Sequence, residues 1–199
     1  MSKRVAISGG SGNVAQEVID AIVSRDRYKV VVLSRRDAPA GATERVEWRK
    51  VDYHNHASLI AALDGIDTLL SFVATTDMDA AFEFQKLLIQ AAIEAGQIEY
   101  CLFQPGFFTE YFAAPHRTAK HFHTFKMFAD FEYRRAIILE GSEDAPLTLT
   151  TVEDMAKVVA LALEYTGKWP TVGGFQGTQT TLSAFLSLAE SIRGPFQIE

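Results

Sequence analysis

The sequence holds a single cysteine, Cys101, so no internal disulfide is available and a reducing compartment is implied. Cys101 sits in the apolar run EYCLF, where it reads as a small buried hydrophobe rather than a nucleophile. Long hydrophobic runs are also missing. No window nears the ~20 apolar residues of a membrane helix. The run from Val5 meets glycine straight after Ser8, too soon for a signal-peptide core. A soluble, cytoplasmic protein without a membrane partner is expected. Positive charge is the scarcer sign, 19 Lys and Arg against 25 Asp and Glu, for a net charge of −6. That excludes the basic face a nucleic acid needs, and the pairs Arg35-Arg36 and Arg134-Arg135 are too local to restore it. Internal repeats, low-complexity tracts and interdomain linkers are absent as well.

What is present is apolar content, 48% of 199 residues, enough for one sizeable core and a single domain over 1–199. The first hundred residues alternate short β-rich runs with helical patterns. VAIS predicts a strand and residues 13–25 a helix; YKVVVLS and ERVEWRKVD predict two more strands. HASLIAALDG predicts a short helix, DTLLSFVA a fourth strand, and 78–95 a long helix stopping at Gly96. Such alternation implies βαβ units, hence a Rossmann-like α/β fold with a parallel sheet and helices on both faces. After Gly96 the rhythm changes. IEYCLFQPG predicts a fifth strand, 107–135 is aromatic and irregular, and RAIILEG and PLTLT predict two strands joined by SEDA. Thr151 opens a helix, with Asp154 completing an imperfect capping box, and a last helix covers 180–193. The expected division is a dinucleotide-binding core over 1–106 and a reduced lobe over 107–199.

The stretch GGSGNVA satisfies Gly10-x-Gly12-x-x-Ala15 and Gly9-x-x-Gly12-x-x-Ala15 alike. Glycines permit a tight strand-to-helix turn and close approach of backbone to a pyrophosphate, and Ala15 lets the helix pack on its strand. The first helical residues, Asn13 and Val14, then offer N–H groups and the positive end of the helix dipole. A strand before, a helix after and a second strand at the right distance support dinucleotide binding over an ordinary turn.

The second strand ends Leu33-Ser34-Arg35-Arg36. An NAD site usually places Asp or Glu here to accept hydrogen bonds from the ribose 2′-hydroxyl. Arg35 and Arg36 offer forked cations suited to a 2′-phosphate, with Ser34 as an added donor, so the cofactor predicted is NADP(H). Asp52-Tyr53 follows the third strand within reach of an adenine. Ser71 to Ala74, including Phe72 and Val73, end the fourth strand at the sheet's carboxyl edge. For these residues, core or loop-capping roles are equally compatible with the pattern.

With VAISGGSGNVA, VLSRR, FQPGFF and TLTTVEDMAKVVALALEY in place, the sequence resembles the NmrA-like and isoflavone reductase-like branch of the atypical short-chain dehydrogenase/reductases. The resemblance covers almost the whole chain. It implies that Gly9, Gly12 and Ala15 line the pyrophosphate and that Arg35 and Arg36 face the 2′-phosphate. It further implies that Pro105-Gly106 approaches the nicotinamide, with Phe107 and Phe108 beside a substrate pocket to which Tyr111 is also assigned.

Departures from the family pattern bear on activity. Members normally place a further strand and helix between the positions matching Gly96 and Gln97. That helix carries the lysine, or the Tyr-x-x-x-Lys pair, that acts on the substrate carbonyl and the ribose. Here EAGQIEYCLFQPG crosses the gap directly, and none of Tyr28, Tyr53, Tyr100, Tyr111, Tyr133 or Tyr165 has a lysine four residues on. The chain also stops at Gln197-Ile198-Glu199, where relatives continue, so a member shortened internally and at its C-terminus is expected.

The remaining clusters point to less. His116, His121 and His123, and the pair His54 and His56, lack a fixed third ligand and read as loop histidines rather than a zinc site. Lys120 and Lys126 read as surface charges, since no spacing sets either against the cofactor. The aromatic run from Phe103 to Phe131 suits an apolar substrate slot, an interface or plain core. Two functions stay open: an NADPH-dependent reductase of a small molecule, its catalytic residue unknown, and an NADP(H)-sensing regulator acting through a protein partner. Loss of a strand and helix also predicts exposed apolar surface and self-association.

Overall fold

The computed structural model describes residues 3–40, 43–72, 77–96 and 99–199. It divides into two compact units, Met1–Tyr100 with Val159–Trp169, and Cys101–Val158 with Pro170–Glu199.

In the first unit, β1 (Lys3–Ser8), α1 (Asn13–Ser24), β2 (Tyr28–Ser34), β3 (Val46–Lys50), α2 (His56–Ala62), β4 (Thr68–Ser71) and α3 (Met78–Glu94) follow the predicted alternation. The strands form one parallel sheet ordered β3-β2-β1-β4. That order is the one found in the mononucleotide half of a Rossmann fold. Val30, Val31, Val32 and Leu33 are all sealed from solvent, which is why β2 reads as a continuous apolar run. α1 buries Ala15, Val18, Ile19 and Ile22, the residues at helical spacing. Tyr53, Leu59, Leu63, Leu88 and Ala91 join Ala6, Val31 and Leu33 in a further core cluster. Asn55 caps α2 through Ser58 N–H at 3.1 Å, and Asp77 caps α3 through Asp79 and Ala80 N–H, both at 3.1 Å. Gly96 takes φ +91° after α3, as its stop position requires.

The second unit departs further from expectation. β5 (Leu102–Gln104) is three residues long and pairs with β10 (Val172–Gly174) as a separate two-stranded ribbon. β6 (Phe107–Phe108) lies parallel to β9 (Pro146–Thr150), which pairs antiparallel with β11 (Thr178–Thr181). β7 (Ala129–Asp130), β8 (Arg135–Ala136) and β12 (Gln197–Ile198) form a third small sheet. The hairpin expected from RAIILEG and PLTLT does not form. Only Arg135 and Ala136 of the first segment are extended, and they pair with β7 and β12 rather than β9. Ile137 and Leu139, 70% and 80% exposed, have no apolar face to enter, so β propensity alone does not extend the strand.

α4 (Val152–Ala162) starts as expected at Thr151, whose Oγ1 accepts from Asp154 N–H at 3.0 Å. α5 (Leu182–Arg193) is capped by Thr181 through Ala184 N–H at 3.2 Å. Its Phe185 meets Phe112 at 4.8 Å between ring centroids and Phe131 at 5.5 Å, the centre of this unit's core.

Candidate dinucleotide site

The glycine turn joins β1 to α1, and each glycine has its own physical reason. Gly9 takes φ +72°, a conformation an L side chain rarely adopts. A Cβ on Gly10 would lie 2.6 Å from Val32 Cγ1, so this position is bare because the turn packs directly on β2. Gly12 N–H donates to Gly9 O at 2.9 Å, and Gly12 O accepts Gln16 N–H at 3.0 Å, starting the helix. The Gln16 side-chain amide donates to Gly10 O and ties the turn to the helix from the other side. No side chain caps α1 and no acid stands in its first turn. Its leading N–H groups, among them those of exposed Asn13 and half-buried Val14, are therefore left for water or an anion.

Ser34 is buried at the end of β2, and its Oγ accepts Arg36 N–H at 3.0 Å, shaping the bend in which the arginines stand. Arg35 and Arg36 are exposed, and neither guanidinium is ion-paired among the described residues. The next acid, Asp37, is held by Lys50 Nζ at 3.1 Å. Asp52 is exposed, and its Oδ1 accepts His54 N–H at 2.9 Å.

Tyr53 is placed differently from its neighbour. Its side chain lies in the core at 6% exposure rather than at the surface where an adenine could reach it. Its hydroxyl lies 2.8 Å from Ser8 Oγ and donates to Leu33 O at 3.2 Å. Burial raises the phenol's pKa, partly opposed by Ser8, the Gly9 backbone and the charge of Arg35. Phe72 N–H donates to Ser8 O at 2.9 Å, extending the β1–β4 pairing, while Val73 and Ala74 lie outside the described residues.

The other predicted residues belong to the second unit. Pro105 O accepts Thr150 Oγ1–H at 2.6 Å, and Gly106 takes φ +74° with the Thr148 carbonyl oxygen and side chain occupying the space of a Cβ. Phe108, Tyr111, Phe122 and Phe125 form an aromatic cluster with centroids 4.7–6.1 Å apart. A cavity of about 170 Å³ beside it is lined by Glu110, His116, Phe122 and His123 among others. Desolvation, with the Glu110 charge, raises the pKa of Tyr111. Phe112, Phe128 and Phe131 are core, so the aromatic run divides between core and cavity wall. Lys126 pairs with Asp130 at 2.9 Å and lies 3.9 Å over the Tyr133 ring, a structural engagement. Among the described residues, no group of three His, Cys, Asp or Glu is arranged to hold a metal, and no helix is long and apolar enough to cross a membrane.

The family model of the NmrA-like family matches residues 1–137. The chain belongs to the NmrA-like family.

Among its relatives, oxidoreductase aprR of Aspergillus flavus is 29% identical over 97 residues, 48% of this chain and 31% of that protein. Oxidoreductase BOA1 of Botryotinia fuckeliana is 23% identical over 231 aligned positions, covering 96% of this chain and 76% of that one. The chain therefore spans less than a third of the first relative and about three quarters of the second. The second alignment is longer than the 199 residues of this NmrA-like chain, so it must open gaps. The structure of the NADPH-dependent quinone oxidoreductase QOR2 of Escherichia coli, complexed with NADPH, superposes with TM-score 0.72 at 20% identity, over 98% of this chain and 76% of that one. At that identity the likeness shows the shared Rossmann-like fold.

Two residues with evident roles were not singled out from the sequence: Ser8 and Gln16. Gln16 carries a faint signal, a polar residue one turn into a helix whose N-cap is glycine. Ser8 carries none, because a serine ending an apolar strand looks like any strand end.

Proposed function

We propose that this NmrA-like chain binds NADP(H) at the glycine turn, with Arg35 and Arg36 receiving the 2′-phosphate. The observation that carries the reading is the pair of exposed guanidiniums that have no carboxylate partner among the described residues, together with an α1 N-terminus that has no side-chain cap hydrogen bond and no acid in its first turn. The nearest acid after the strand, Asp37, faces Lys50 Nζ at 3.1 Å, which supports the 2′-phosphate reading over a ribose 2′-hydroxyl acceptor at this position. Gly9, Gly10, Gly12, Asn13, Val14 and Ala15 would hold the pyrophosphate, and Asp52 and Phe72 would border the adenine and nicotinamide ends. The cofactor, when bound, supplies a hydride; the protein supplies orientation and electrostatics.

Titration with NADPH and NADH tests this. NADPH should bind more tightly, and alanine at both arginines should erase most of a difference of about 1–3 kcal/mol. Identical curves for the two cofactors on the unmutated protein would overturn the reading.

Activity as an NADPH-dependent reductase of a small molecule is the first use of that site. The second is sensing, in which the NADP(H)-bound state is passed to a protein partner. It is favoured by the absence of any Tyr-x-x-x-Lys and by Phe82, Ile89 and Ile93, exposed along α3 beside a sheet whose β4 pairs only with β1 among the described residues. The same surface supports self-association. Light scattering with and without NADPH separates the uses: a cofactor-dependent change of mass without turnover supports sensing, and turnover at constant mass supports the reductase.

A further inference from the structure

Tyr53 stands where three strand ends meet. Ser8 closes β1, Leu33 is the penultimate residue of β2, and Tyr53 follows β3 by three positions. Their polar groups form a short relay. The Tyr53 hydroxyl donates to Leu33 O at 3.2 Å, which leaves the Ser8 hydroxyl to donate to the Tyr53 oxygen at 2.8 Å. All three residues are buried, Ser8 and Leu33 at 0% exposure and Tyr53 at 6%. Removing one member therefore strands partners that water cannot reach. The relay is bracketed by the two halves of the candidate site. Gly9, at φ +72°, follows Ser8, and Ser34-Arg35-Arg36 follow Leu33.

We propose that Tyr53 is a positioning residue which locks the glycine turn to the end of β2 and so sets the spacing between the pyrophosphate cradle and the arginine pair. The proposal rests on the dinucleotide reading above. A dinucleotide carrying a 2′-phosphate touches both anchors, whereas one without it depends mainly on the cradle. An error in the spacing therefore weakens NADPH more than NADH. The ring itself is held independently, packed with Phe84 at 6.1 Å between centroids, so Tyr53→Phe removes the hydroxyl while keeping the packing.

The experiment compares the unmutated chain with Tyr53→Phe, Ser8→Ala and the double variant. It measures NADPH and NADH affinity by calorimetric titration, and amide exchange over residues 8–12 without cofactor. Tyr53→Phe should weaken NADPH about tenfold and NADH by less. The double variant should lose less than the product of the single losses, because both remove one relay. Exchange at 8–12 should quicken in both single variants while the buried half of α1 stays protected. Unchanged NADPH affinity, an equal loss for both cofactors, multiplicative losses or unaltered exchange at 8–12 would each overturn the proposal. Should Tyr53→Phe fail to fold, Ser8→Ala carries the same test with the tyrosine in place. If the unmutated chain binds neither dinucleotide, the dinucleotide reading fails and the proposed spacing role falls with it, whereas unchanged affinities in variants of a binding-competent chain count against Tyr53 alone.

Discussion

The Glu110 carboxylate accepts the backbone N–H of Val152, with its two oxygens 3.1 and 3.2 Å away, and thereby caps α4 from 42 residues upstream. Both residues are buried, Glu110 at 5% and Val152 at 0% exposure. An acidic side chain at a helix N-terminus meets the positive end of the dipole, and here it also satisfies an amide that water cannot reach. Glu110→Ala should cost about 1–3 kcal/mol of stability, because it leaves that N–H without an acceptor. Glu110→Gln, which keeps an acceptor oxygen, should recover a substantial part. Urea unfolding of the two variants measures the difference, and equal losses would show that charge rather than hydrogen bonding dominates.

Gly10 is expected to be intolerant for a reason other than phosphate approach. A methyl at 2.6 Å from Val32 Cγ1, with Ile7 O at 3.4 Å, overpacks the junction of turn and sheet. Gly10→Ala should destabilise by about 1–3 kcal/mol. The paired change Gly10→Ala with Val32→Ala should recover a part of that loss by opening the space. Thermal unfolding of the single and double variants checks it, and no recovery would mean the turn conformation, not the packing, demands glycine.

Turnover of carbonyl, enone or quinone substrates should be weak even with NADPH bound. Hydride transfer to such substrates needs a proton donor or polariser at the developing oxyanion, worth ~10²–10⁴ in rate. No Tyr-x-x-x-Lys pair exists anywhere in the chain to provide one. NADPH consumption over a broad substrate panel, with Gly12→Val as the binding-deficient control, tests this. Robust turnover lost in that control would refute it.

Asp130 should contribute acid sensitivity. Burial pushes its carboxyl up, but Lys126, the Tyr133 backbone N–H and Arg135 outweigh that and hold its pKa below the ordinary value. A depressed folded-state pKa means stability that is present above the unfolded pKa, near 3.8, and lost as pH falls through the folded value. The chain should therefore lose stability below about pH 4 more steeply than Asp130→Asn does. Parallel stability curves for the two proteins between pH 6 and 3 would refute the assignment.

Much of the first unit was legible from the residues. Val5 to Ser8 and Tyr28 to Ser34 report strands as short continuous apolar runs ended by turn residues, and the Val18, Ile19 and Ile22 stripe reports a helix by its period. The glycine turn and the arginine pair are legible for the same reason, being contiguous in the chain. The second unit was not. RAIILEG has β propensity throughout, yet only Arg135-Ala136 pair, since strand length there depends on which partner arrives from Ala129 and Gln197. Tyr53 shows the limit most plainly. Its position after β3 marks it as a site neighbour, but whether its ring faces a ligand or the core depends on Ser8 and Leu33, 45 and 20 residues away in sequence. What the sequence by itself determined was the order of elements, the glycine turn and the charge beside it, all set by neighbours within a few positions. Which hydroxyl meets which carbonyl was decided only by tertiary structure, because buried polar groups must find partners from whatever chain segments the packing brings within 3 Å or so.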